Sequence, residues 1–275
     1  MPQHNPLATD DSISNAARPW VLAEASYRQV RQLEYQVAVL PMGATEPHNL
    51  HLPYGTDTLE ANGLAERVCR ESWHRGARVV MLPAIPYGTE TNMQEFPLAM
   101  NLSPSTLFAV LTDLVNTVEK SGIRKMLIFN SHGGNDFKPF LREICHKTTV
   151  QLFLCDWFKM VGDRQADLFE HREDHAGEME TSLIMHLAPG LVHYQNDGRL
   201  AADSGAVKPL RFEALRHGWV SLTRPWHLLT TNSGSGNPHA ATAAKGEKVA
   251  DLVAERVVPF LVELANSPLD ATFPF

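Results

Sequence analysis

Three short clusters in this chain combine carboxylates, imidazoles and glycines. The first is Glu46-Pro47-His48, followed at some distance by Asp57. In extended backbone, residues two apart point to the same side, so Glu46 and His48 can face one site. The second is His132-Gly133-Gly134-Asn135, where the glycines permit a sharp turn that leaves the imidazole uncovered. The third is His175-Ala176-Gly177-Glu178-Met179-Glu180-Thr181-Ser182. Each has a plain alternative on its own: a polar loop with a capping aspartate, a histidine filling a turn, or acids complementing a helix dipole. Taken together, the donors are imidazole and carboxylate with no thiolate. That set suits Zn²⁺, Mn²⁺ or Fe²⁺ in a hydrolytic centre. Three carboxylates (Glu46, Asp57, Glu180) and two neutral histidines (His48, His132) carry about −3. Two divalent ions and one hydroxide bring the total near zero, whereas one ion leaves it negative, and buried net charge is costly. The count favours two ions.

These residues need a scaffold that brings them together. The apolar run Val37–Leu40 reads as a buried parallel strand, and Val79–Leu82, Met126–Phe129 and Val150–Leu154 read as the second, third and fourth strands. Helical patterns alternate with them, over about 22–33, 58–70, 104–120 and 138–146, then 178–187 and 240–265. Ser103-Pro104 marks one start and Gly122 the matching stop. The alternation predicts an α/β fold: a mainly parallel central sheet with helices on both faces, a three-layer α/β/α arrangement. Chemistry in such folds sits beyond the carboxyl ends of the strands, and the first two clusters directly follow strand ends. Residues 1–18 read as a loose arm, 19–275 as one domain, and 191–238 as irregular. Both the arm and the irregular segment are long for a compact monomer, which suggests contacts in a homo-oligomer.

Composition excludes several classes. The chain has 275 residues, 44% of them apolar and 20% charged, enough for a sizeable core. Its net charge of −7 argues against nucleic acid as a partner. No apolar stretch suits a membrane span, and the start lacks the features of a signal peptide. Cys69, Cys145 and Cys155 read as reduced thiols of a cytoplasmic protein.

Leu40-Pro41-Met42-Gly43-Ala44-Thr45-Glu46-Pro47-His48, with His51-Leu52-Pro53 and Asp57, resembles the opening signature of the creatininase (creatinine amidohydrolase) family. Asn130-Ser131-His132-Gly133-Gly134-Asn135 is similar to its second signature, the segment from His175 to Ser182 to its third, and the segment from Gly234 to Gly246 to its closing stretch. The resemblance spans roughly residues 20–265. It implies a creatininase-like α/β/α fold, a two-metal hydrolytic centre and often a homohexamer. It implies Glu46, His48, Asp57 and His132 as ligands, with Asp57 bridging, and His175 as the catalytic histidine. Creatininase itself has a ligand glutamate two residues after the second-signature histidine. Gly134 stands there in this chain, and the resemblance points to Glu180 as its replacement. Other departures are Pro47, Asn49, Gly133 and the stretch Phe96-Pro97-Leu98-Ala99, which stands where the family has Phe-Pro-Gly-Thr. They argue against creatinine as the substrate.

The expected chemistry is hydrolysis of a small cyclic or linear amide by a metal-activated water, with His175 moving the proton and Glu178 as the alternative carrier. Three other readings remain open: ring-opening carbon–carbon hydrolysis of a cyclic inositol-derived diketone, peptide trimming, and a non-catalytic metal-binding subunit. Asn49, Asn92, Gln94 and Asn101 are the amides that a sugar-like substrate would use. His51 is either a partner that orients a ligand or a plain buried histidine. The segment from Ser233 to Gly236 reads as a flexible loop. Trp157 reads as core rather than as a lid.

Overall fold

The computed structural model describes residues 18–171 and 175–275. Apart from Arg18, the expected N-terminal arm lies outside them. Among the described residues four strands form, β1 Val37–Met42, β2 Val79–Met81, β3 Lys125–Asn130 and β4 Gln151–Asp156. They pair in parallel in the order β2-β1-β3-β4. Each contains or overlaps an apolar run seen in the sequence. Alternate side chains of β1 enter different cores, because successive residues of a strand face opposite ways. Val37 and Val39 pack with Leu64 and Val68 of the helix Thr56–His74 and with Val253 and Val257 of the helix Ala243–Asn266. Ala38, Leu40 and Met42 pack with Leu107 and Leu111 of Pro104–Lys120 and with Phe140 and Ile144 of Lys138–Ile144. Helices therefore cover both faces of a parallel sheet, and the three-layer α/β/α fold is as expected.

The strand order places the site. From β1 the chain moves to one side to form β2, then returns to the other side for β3 and β4. That reversal opens a crevice beyond the carboxyl ends of β1 and β3, where ligands bind in open α/β sheets. The first two clusters leave those two strands.

Local differences from the sequence reading have local causes. The helix expected over 22–33 is instead a 3-10 turn, Leu22–Glu24, and a single helical turn, Tyr27–Val30. Ser26 and Gln29 form a capping box that restarts the chain there. Asp57 lies inside the first turn of its helix rather than before it, and Gly55 is the N-cap. Its carboxylate is thereby free of a capping duty. The helix Glu178–Leu187 packs backbone to backbone on Ala243–Asn266, because a Cβ at Gly246 would stand 2.0 Å from the carbonyl oxygen of Ser182. Among the described residues, no helix is long and apolar enough to cross a membrane.

Candidate metal centre

Loop chemistry at the strand ends fixes the donors. Asn130, the last residue of β3, accepts from the N–H of His132 through Oδ1 and donates to the carbonyl of His132 through Nδ2. Asn135 donates to Asn130 Oδ1 and accepts from the N–H of Thr89. These bonds hold His132 on the crevice. His48 Nδ1 donates to the carbonyl of Glu46, which turns Nε2 toward Asp57 Oδ1 at 3.1 Å. Asp57 Oδ2 lies 3.1 Å from His132 Nδ1, and Glu46 Oε1 lies 3.0 Å from the same nitrogen. Glu180 Oε2 is 4.0 Å from His48 Nε2 and accepts from the N–H of Ala176.

The donor atoms fall into three triplets, each within 4.8 Å: Glu46, Asp57 and His132; His48, Asp57 and Glu180; and Glu46, His48 and His175. The first two share Asp57. All five expected ligands are thus brought together, and all but Glu180 are buried. His175 stands beside them. Its Nε2 donates to the carbonyl of Pro47 at 2.8 Å, and its Nδ1 lies 3.8 Å from Glu46 Oε1. The backbone of His175 pairs in both directions with Ser235, so the loop expected to be flexible instead anchors this histidine.

The electrostatics follow from burial and close charges. Burial, the largest cause, lifts Glu46 well above the carboxylate range. Burial alone would raise Asp57 too, but His48 and His132 hold it well below that range. Burial opposes charge on His48, yet Asp57, Glu180 and Glu46 outweigh it and lift the imidazole to about 10. His132 is held high in the same way, against burial, by Glu46, Glu90 and Asp57. Burial and the neighbouring charge of His48 push His175 down to about 3, well below the near-neutral value expected for an acid–base histidine. At neutral pH its imidazole is therefore uncharged, with a lone pair at Nδ1.

The family profile described as creatininase, creatinine amidohydrolase, matches residues 23–261. The chain belongs to the creatininase family. It is a hydrolase of that family. The mycofactocin precursor peptide peptidase of Mycobacterium tuberculosis is 28% identical, over 77% of this chain and 78% of its own. The creatinine amidohydrolase of Pseudomonas putida is 26% identical, over 57% of this chain and 66% of its own. A Bacteroides fragilis protein proposed to be a creatinine amidohydrolase superposes with a TM-score of 0.85 at 34% identity, covering 92% of this chain and 99% of its own.

Within this creatininase fold the remaining candidates sort by their partners. Glu178 is fully buried and turned to Lys245 Nζ and to the N–H groups of Glu170 and His171. Its carboxylate anchors the backbone of Glu170 and His171. His51 Nε2 bonds Thr181 Oγ1 at 2.7 Å, next to Glu180 in the chain, which fits a role in orienting that region. Asn49 is spent on backbone contacts: its N–H donates to Ser233 Oγ, and its side chain bonds the carbonyl of Asp203 and the N–H of Leu50. Asn101 Oδ1 accepts from the N–H of Glu90 and from Thr91 Oγ1. Trp157 is core, its Nε1 donating to Ser131 Oγ, which in turn donates to Glu60 Oε2.

Two residues escaped the sequence reading. Trp226 meets the His175 ring edge-on, with centroids 5.2 Å apart. Glu90 lies 2.7 Å from His132 Nε2 and is fully buried. Glu90 sits in a loop and Trp226 opens the single helical turn Trp226–Leu229, both too short for periodicity to mark a buried side chain.

Proposed function

We propose that this chain hydrolyses a carbon–nitrogen amide bond at a centre of two divalent ions, Zn²⁺, Mn²⁺ or Fe²⁺. The observation that carries the reading is the pair of donor triplets sharing Asp57, with His175 alongside. The residues present fit such ions. The donors are oxygen and nitrogen, and Asp57 Oδ2 is a buried oxygen without an aligned hydrogen bond. Glu46, Asp57 and His132 would hold one ion, and His48, Asp57 and Glu180 the other. Bound there, the ions supply an acidified water and polarise a carbonyl.

The rest is done by the chain. Donation from His175 Nε2 to Pro47 fixes the ring tautomer and leaves Nδ1 with a lone pair on the cluster side. Nδ1 takes the proton of the attacking water and delivers it to the departing nitrogen. Ser233 Oγ also donates to the Pro47 carbonyl, so that acceptor is held from two directions. Trp226 holds the imidazole edge-on. Glu178, engaged by Lys245 and the N–H groups of Glu170 and His171, serves by anchoring those residues and not by carrying the proton.

The relatives' names, a precursor-peptide peptidase and an amidohydrolase, both describe amide cleavage and support a linear or cyclic amide. The carbon–carbon reading is less favoured, because two of the four amides it would use, Asn49 and Asn101, are spent on the protein itself. Purified protein should take up two divalent ions per chain by elemental analysis. At most one ion at saturation would overturn the two-ion centre.

We further propose that residues 19–275 act as one domain, that the protein works in the cytoplasm and that it self-associates. Phe212, Trp219, Val220, Leu222 and Leu228 support association, since all five are large, apolar and exposed within the irregular segment. Light scattering should give a mass of several chains; a mass near 30.6 kDa would contradict it.

A further inference from the structure

Glu90 is the unexplained carboxylate of this crevice. It is fully buried in the loop between β2 and the helix Pro104–Lys120. Neither of its oxygens has an aligned hydrogen bond among the described residues. Such a group is costly to keep unless something nearby uses it.

Its position is built. Asn101 Oδ1 accepts from the Glu90 N–H at 2.7 Å, and Asn135 Oδ1 accepts from the Thr89 N–H at 3.0 Å. A Cβ at Gly88 would come within 2.8 Å of Asn135 Oδ1, so the loop lies tight on the second signature. The result is that Glu90 Oε1 stands 2.7 Å from His132 Nε2, while His132 Nδ1 faces Glu46 and Asp57 on the opposite side of the ring. His132 Nε2 donates to the Thr89 carbonyl at 3.2 Å. That carbonyl suffices to place the hydrogen on Nε2. The carboxylate adds negative charge, which makes the imidazole a better donor at Nδ1.

Gly134 closes the alternative. A Cβ there would stand 2.3 Å from His132 Nε2 and 2.6 Å from the Thr89 carbonyl. The position two residues after the histidine therefore has no room for a side chain, and the carboxylate near this ring comes from Glu90 on the other loop.

We infer that Glu90 is a positioning residue that strengthens His132 as a ligand from behind, a role that rests on the two-ion reading above. Ion affinities of wild type, Glu90→Gln and Glu90→Asp are to be measured by chelator competition with Zn²⁺ and Mn²⁺, alongside melting of the metal-stripped proteins. Glu90→Gln keeps the shape and removes the charge. It should weaken one of the two ions by about 10–100-fold and leave the other within a few-fold. Glu90→Asp should recover part of that loss. Melting of the metal-stripped Gln variant checks that it folds, since Glu90 also faces the His132 imidazole at 2.7 Å when no ion is bound. Equal affinities for both ions in Glu90→Gln and wild type would overturn the inference, as would a lower stripped melting temperature with affinities unchanged. If wild type itself takes fewer than two ions, the two-ion reading fails instead.

Discussion

Replacing His175 by alanine should lower turnover by about 10²–10⁴-fold, the scale for losing a general acid–base group. Both ions should stay bound, and the melting temperature should hold. The expectation follows from how the ring is held. Its Nε2 is committed to the Pro47 carbonyl, and its Nδ1 points to the cluster at 3.8 Å from Glu46 Oε1. The same geometry admits a competing role, since Glu46, His48 and His175 also form a triplet of donors. Metal content separates the two. If His175 were a ligand, the variant would lose an ion together with activity. If it were only packing against His48 and Trp226, whose rings lie 4.2 and 5.2 Å from its own, stability would fall and turnover would not. One preparation assayed for metal, melting and turnover on a panel of lactams, formamides and short peptides decides it. Full metal, normal melting and unchanged turnover would remove His175 from the mechanism.

Asp57→Asn should weaken both ions together by at least about 100-fold, beyond the range for residues that act from behind a ligand. Asp57 is the member common to two triplets, with Oδ1 on the His48 side and Oδ2 on the His132 side. An amide keeps the shape, but its nitrogen carries hydrogens and no charge, so it cannot bridge. Glu46→Gln and His48→Ala provide the contrast. Glu46→Gln should weaken chiefly the ion at His132, and His48→Ala chiefly the ion at Glu180. Titration showing that Asp57→Asn retains both ions tightly would take Asp57 out of the bridge. Loss of only one ion would place it in a single site.

Much of this was legible from residue order. Short apolar runs rich in β-branched residues read as parallel strands, β1 and β3 inner and β2 and β4 at the edges, and helices fill the intervals, so the layers and the rim that carries the donors followed. Glu46, His48 and His132 could be placed because they leave strand ends within a few residues. Glu180 required the family resemblance, since acids at a helix start are ordinarily explained by the dipole. Glu178 shows the limit of that reading. It shares the same helical turn with Glu180, yet Lys245 and two backbone N–H groups claim it.

What sequence determined here, then, is the order of the elements and which reactive side chains are delivered to the crevice, because both depend on local periodicity and on the few residues after each strand. Tertiary structure alone decided which carboxylate meets which imidazole. It turned Glu178 away, laid Trp226 against His175 and put Glu90 behind His132. Those contacts join segments far apart in the chain. Their distances are set by how tightly loops and helices close on one another, at places such as Gly88 and Gly134 where a single added carbon has no room.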